Sequence, residues 1–125
     1  MAQILIVDDE PDVRDVLAAI LGMHGHDVTE AERGLDALDK FDPTIHELVV
    51  SDVMMPDMNG FELLTELGPR LGDRIPFLIL SSHDDPDGVE AAIYAGAFDY
   101  HTKPFIPAKV AEVVGRALAE AAQAS

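Results

Sequence analysis

Leu48-Val49-Val50-Ser51-Asp52-Val53-Met54-Met55-Pro56 is the stretch on which the fold turns. Leu48, Val49 and Val50 are a short, β-rich apolar run, which reads as a strand buried on both faces. The run ends on Asp52, and Pro56 followed by Asp57-Met58-Asn59-Gly60 marks a loop. Desolvating a charge at the end of a buried strand costs several kcal/mol unless something pairs with it. The carboxyl edge of a parallel sheet is also where open α/β folds bind their ligands. Asp52 is therefore the first candidate for a working residue.

Outward from this strand, apolar strands and helical periods alternate. Gln3 to Val7 reads as a first strand. Pro11 suits the first turn of a helix, and Val13, Val16, Leu17, Ile20 and Leu21 recur at helical spacing as far as about Met23. Asp27 to Ala31 is a strand poor in apolar residues, expected at an edge. Leu35, Leu38 and Phe41 suggest a short second helix that stops before Pro43. A third helix is expected from about Gly60, with Phe61, Leu64, Leu67 and Leu71 inward and a capping box between Asn59 and Glu62. Phe77 to Leu80 is a fourth strand ending on Ser81 and Ser82. Asp85-Pro86 opens a fourth helix that ends near Gly96, Phe98 to His101 is a fifth strand, and Pro107 opens a last helix with Val110, Val113, Val114, Ala117 and Leu118 facing in. The tail from Ala119 is expected to fray. This order predicts a parallel sheet with helices on both faces, joined by right-handed crossovers.

The chain has 125 residues, 48% of them hydrophobic, which suits one domain over residues 1–125 with a real core. A formal net charge of −16 argues against nucleic acid as a direct partner, because phosphate contacts need clustered Lys and Arg. Cations and basic partner surfaces are favoured instead. The absence of cysteine excludes disulfides and thiolate chemistry. With no apolar run of bilayer length and no basic-then-apolar leader, the expected setting is cytoplasmic, away from the membrane.

The residues that end the apolar strands then converge. The first strand gives Asp8 and Asp9, the third Asp52, the fourth Ser81 and the fifth Lys103. Each alone has an ordinary reading: Asp8-Asp9-Glu10 as solvated charge at a helix start, Ser81 as a turn residue, Lys103-Pro104 as a loop. Together they crowd carboxylates, and a pair about 4 Å apart repels by about 4 kcal/mol at an effective dielectric near 20. A cation makes that tolerable. All-oxygen ligands with few protein donors suggest Mg²⁺ rather than Ca²⁺. A divalent ion, a lysine and a hydroxyl around one carboxylate would stabilise a phosphoryl group in transfer, with Asp52 as nucleophile.

Asp8-Asp9, Ser51 to Gly60, Leu80-Ser81-Ser82-His83-Asp84 and Asp99-Tyr100-His101-Thr102-Lys103-Pro104-Phe105 together resemble the signature blocks of the receiver (CheY-like) domain of two-component response regulators. The resemblance implies a flavodoxin-like (βα)5 sheet of order 2-1-3-4-5, an order for which CheY is a standing example. It implies Asp52 as phosphoacceptor, Mg²⁺ held by Asp9, Asp52 and the backbone carbonyl of Met54, and Asp8 acting mainly through water. Lys103 would pair with the phosphoryl group. Ser81 matches the switch hydroxyl and Tyr100 the switch aromatic, which would turn inward on phosphorylation and repack the face of the fourth helix, fifth strand and fifth helix. A sensor histidine kinase or phosphotransfer protein would be the donor, docking near Arg14 and Pro104. A downstream protein or effector domain would read the switched face, which is also the family's surface for a homodimer. Met54 and His83 hold the positions that tune phosphoryl lifetime, and Phe98 stands where the family more often has a polar residue.

Three rival functions share parts of this pattern. An FMN-binding module needs a hydroxyl- and glycine-rich loop after the first strand, where this chain has Asp8-Asp9-Glu10. A phosphohydrolase of the haloacid-dehalogenase type needs Asp-x-Asp there. A phosphate-independent pseudo-receiver, acting only as an interaction module, would usually lack one of the acidic pair, the acceptor or the lysine, and all are present.

Overall fold

In the computed structural model, Leu48–Ser51 is a strand, β3, buried along its whole length. The structure describes residues 2–72, 74–81, 90–91, 93–102 and 106–124, apart from the side chains of Ser81 and Ala124. The other strands are β1 (Gln3–Val7), β2 (Asp27–Ala31), β4 (Phe77–Ser81) and β5 (Asp99–Thr102). All pairings are parallel, in one sheet of order β2-β1-β3-β4-β5. This is the flavodoxin-like order expected. β2, the strand poor in apolar residues, lies at an edge, where partial exposure is tolerated.

The helices are α1 (Pro11–Met23), α2 (Gly34–Lys40), α3 (Gly60–Leu71) and α5 (Pro107–Ala124). Residues 90, 91, 93 and 94 are also helical and are labelled α4. The expected opening of that helix at Asp85-Pro86 lies outside the described residues, as do His83, Lys103 and Pro104.

Strand side chains alternate between two cores, because successive residues point to opposite faces. Leu5, Val7, Val49, Phe77 and Ile79 pack with Ala37 of α2 and Leu63, Leu64 and Leu67 of α3. Ile4, Ile6, Leu48, Val50, Leu78 and Leu80 pack with Leu17, Ile20 and Leu21 of α1 and Val110, Val113, Val114 and Ala117 of α5. Each fully buried Leu or Ile contributes about 1.5–3 kcal/mol relative to exposure. Both faces are covered, so the strands read as continuous apolar runs.

Five local expectations need correction. Leu35 faces outward, 60% exposed, because α2 is one short helix whose inner side is made by Gly34 and Ala37. Phe41 is buried from the C-cap position, beyond the helix. In α3 the fully buried side includes Leu63, while Phe61 is only half-buried. The fifth strand begins one residue later than expected. Phe98 donates its N–H to the Phe77 carbonyl at 2.8 Å, but the ladder starts with Asp99 opposite Leu78. The last helix continues through Ala124.

Candidate functional site

β1 and β3 are neighbours in a register that sets Val7 opposite Ser51. The residues that follow, Asp8 and Asp52, therefore leave the sheet side by side at its carboxyl edge. The Asp52 N–H donates to the Val7 carbonyl at 2.9 Å and the Asp8 N–H to the Ala31 carbonyl at 3.2 Å, so the strand pairing itself sets their positions. Both are buried, Asp8 to 2% and Asp52 to 4% exposure. Asp8 Oδ1 accepts the Glu10 N–H at 2.9 Å, and Asp52 Oδ1 accepts the Val53 N–H at 2.8 Å.

Asp9 and Glu10 are exposed on the turn into α1. Carboxylate oxygens of Asp8, Asp9, Glu10 and Asp52 can all lie within 4.8 Å of one another. Four carboxylates in that space repel strongly. The donor set is entirely oxygen and half exposed, which fits a small hard divalent cation that keeps part of its water. Such an ion would be held by Asp8, Asp9 and Asp52 from the two strand ends. Glu10 joins the cluster although the sequence reading gave it no role. Its adjacency to the acidic pair was the available signal.

Arg14 supports the site from behind. Its Nη1 donates to the Asp8 carbonyl oxygen at 2.6 Å and its Nε lies 3.5 Å from the Glu30 carboxylate. With a side chain only 12% exposed, Arg14 braces the β1–α1 turn and presents little of its guanidinium to a docking partner.

The loop after Asp52, residues 53–59, is fixed at both ends. Asn59 caps α3: its Oδ1 accepts the Glu62 N–H at 2.8 Å, and Glu62 Oε1 accepts the Asn59 N–H at 3.0 Å. The Gly60 N–H donates to the Val53 carbonyl at 2.8 Å. Asp57 reaches across to α2, accepting the Gly34 N–H at 3.1 Å and the Leu35 N–H at 2.7 Å. Burial opposes ionisation of Asp57, but the backbone N–H groups of Leu35, Gly34, Asp57 itself and Met58 outweigh it and hold the carboxyl below its ordinary value. Met54 is carried on this loop with its side chain 56% exposed.

The remaining expected residues are placed as follows. Ser81 is the last residue of β4, opposite Thr102. Tyr100 is buried at 9% exposure within the α3-side core. Lys103 lies outside the described residues. On the outer face of β5, Asp99 accepts from Arg116 of α5 at 2.6 Å, and the Arg116 guanidinium lies 5.5 Å from the Phe98 ring centroid. Tyr94 of α4 is 96% exposed on the fold's surface. A cavity of ≈ 420 Å³ lies at the opposite, amino edge of the sheet, lined by His26, His46 and Arg74 among others, and shares no residue with the acidic cluster.

An edge-of-sheet carboxylate cluster on a 2-1-3-4-5 sheet defines a class that comparison with known proteins makes explicit. The model of the response regulator receiver domain family matches residues 4–115, and the chain belongs to that family. Receiver domains are signalling domains of two-component systems that bind Mg²⁺ at an acidic pocket. An uncharacterized 14.6 kDa protein in the sodA1 3' region of Leptolyngbya boryana is 38% identical over 113 residues, covering 89% of this chain and 86% of that protein. The response regulator MprA of Mycobacterium sp. (strain KMS) is 40% identical over 103 residues, which are 82% of this chain but 44% of MprA, so the match spans under half of that protein. Among solved structures, a CheY-like receiver domain protein from Methanospirillum hungatei JF-1 superposes with a TM-score of 0.92 at 27% identity, covering 100% of this chain and 99% of that one. The response regulator TrrA of Thermotoga maritima, solved in complex with Mg²⁺-BeF, superposes with a TM-score of 0.83 at 31% identity, covering 94% of this chain and 98% of that one.

Proposed function

We propose that this receiver domain takes a phosphoryl group onto Asp52 from a phosphohistidine of a sensor histidine kinase or phosphotransfer protein. The observation that carries the reading is the position of Asp52. It is a buried carboxylate at the end of the central strand, within the four-carboxylate cluster. In the transfer, a carboxylate oxygen of Asp52 forms the new P–O bond as the P–N bond of the donor breaks. The electron pair stays on the histidine nitrogen, which takes up a proton.

Asp8, Asp9, Asp52 and the Met54 carbonyl are the proposed Mg²⁺ ligands, Asp8 mainly through water. The ion, when bound, offsets the negative charge gathered on the phosphoryl oxygens. Asp52 is the attacking group. Lys103 pairs with the phosphoryl group, and Ser81 and Tyr100 form the switch. Signalling passes to a downstream protein or effector domain through the face of α4, β5 and α5, which also serves a homodimer. The domain is regulatory rather than a turnover enzyme, promoting only its own phosphorylation and dephosphorylation. Among the described residues no helix is long and apolar enough to cross a membrane, and a cytoplasmic setting is proposed on the family's role.

The test is intact mass after incubation with acetyl phosphate and Mg²⁺. The expected result is one added phosphoryl group, absent without Mg²⁺ and absent in Asp52→Asn. Uptake by Asp52→Asn at the wild-type rate would overturn the assignment. No uptake together with no binding of beryllofluoride, a stable phosphoryl mimic, would favour the pseudo-receiver.

A further inference from the structure

α2 lacks a cap of its own. Its N-cap residue, Arg33, makes no side-chain hydrogen bond to the helix, although the first turn of any helix exposes unpaired N–H groups. The missing acceptor comes from the acceptor loop. Asp57 spans the gap with both oxygens, Oδ1 to the Gly34 N–H and Oδ2 to the Leu35 N–H, and its Oδ1 also accepts the Met58 N–H at 2.9 Å. A second contact locks the same two segments. A Cβ on Gly34 would collide with Met58 Cγ and lie 2.6 Å from its sulfur, so the Met58 side chain occupies the space that a larger residue at 34 would fill. The loop that starts at Asp52 is thus pinned at its middle to α2 and at its far end to α3.

We infer that Asp57 is a positioning residue: by gripping the first turn of α2 it fixes the 53–57 segment, and so couples α2 to the state of Asp52. The inference rests on the phosphoacceptor reading above. A carboxylate held by several N–H groups is a stiff anchor, because each bond is charge-assisted and the backbone donors are fixed by the helix. Any shift of residues 53–56 toward a group on Asp52 must then be absorbed either by the clamp or by α2. Coupling of this kind is reciprocal: if the mimic on Asp52 alters the clamp, breaking the clamp alters affinity for the mimic by the same factor. α2, with Leu35 exposed on its first turn, becomes a second place where the phosphorylated state is legible, apart from the α4, β5 and α5 face.

The test uses beryllofluoride with Mg²⁺, amide hydrogen exchange resolved by residue, and binding affinity. In the wild type, the Gly34 and Leu35 amides are expected to exchange more slowly on binding, with the rates of residues 53–58 altered as well. In Asp57→Ala these two amides exchange rapidly in both states, and beryllofluoride affinity falls about fivefold or more. Asp57→Asn, which keeps one acceptor oxygen, restores part of the affinity. Glu66→Ala on the exposed side of α3 serves as a control and leaves both readouts unchanged. Exchange at residues 53–58 that responds while Gly34 and Leu35 do not, or unchanged affinity in a folded Asp57→Ala, overturns the clamp. Absence of any response in the wild type, at 53–58 as well, overturns the acceptor reading and the clamp with it.

Discussion

Gly60 approaches Asp52 so closely that a Cβ on it would sit 2.5 Å from the Asp52 carbonyl oxygen and 3.2 Å from the Cα of Val53. The first residue of α3 and the backbone of Asp52 are therefore in direct contact, and only glycine fits between them. Gly60→Ala is expected to push the loop away from the strand end. The overpacking costs about 1–3 kcal/mol, against a helix-propensity gain of at most about 1 kcal/mol. Urea denaturation should show a net loss of stability, and phosphoryl uptake at Asp52 should slow. Unchanged stability and uptake would show that the loop yields freely.

Asp52→Asn removes one of four mutually repelling carboxylates while retaining the oxygen that accepts from Val53. At separations of about 5 Å each of the three pairwise repulsions removed amounts to about 1–3 kcal/mol for effective dielectrics between bulk water and 20. In a chelator the variant should therefore melt at a higher temperature than the wild type. Added Mg²⁺ should raise the wild-type melting temperature and leave the variant nearly unmoved, because only the state that binds the ion is stabilised. An equal rise in both proteins would place the ion elsewhere.

The capping box offers a cleaner stability measurement. Asn59→Ala removes the acceptor for the Glu62 N–H and should cost about 0.5–2 kcal/mol. Glu62→Ala removes the reciprocal bond to the Asn59 N–H. Because each bond holds the same turn, the double variant should lose less than the sum of the singles. Additive losses in denaturant unfolding would show that the two halves of the box act independently.

Local signals carried most of this fold. The β3 run, the Asn59 and Glu62 spacing and the prolines at Pro11 and Pro107 each act within a few residues, and each element stands where those residues predict it. The convergence of Asp8 with Asp52 was legible too, because both end apolar strands and parallel neighbours share an edge. What escaped was non-local or compensated. The Asp57 cap on α2 joins residues 23 apart, and a carboxylate in a loop gives no sign of which helix it serves. Leu35 belongs to the apolar spacing that marked α2, yet α2 buries the small residues Gly34 and Ala37 and leaves Leu35 exposed. The brace that Arg14 forms escaped too, because its partners, the Asp8 carbonyl and Glu30, come together only in the folded β1–β2 edge.

A buried histidine at the other end of the sheet should give the fold a pH dependence of defined sign. His46 is 5% exposed and stacks on Phe41 with ring centroids 5.8 Å apart. Its Nδ1 accepts the Asp42 N–H at 3.0 Å and its Nε2 lies 3.2 Å from Thr29 Oγ1, so the neutral ring satisfies both partners. Burial lowers its pKa below the ordinary 6.5, and the nearby Asp42 carboxylate offsets only part of that. The unfolded chain therefore binds the proton more readily than the folded one. The stability that His46 contributes is fully present above about pH 6.5 and is lost as pH falls from there toward its lower folded value. Urea denaturation at pH 7.5 and pH 5.5 should show a drop in the wild type that His46→Asn reduces, since Asn keeps an acceptor for the Asp42 N–H but does not titrate. The same drop in both proteins would assign the pH dependence to other groups, His26 first among them, whose pKa burial also lowers.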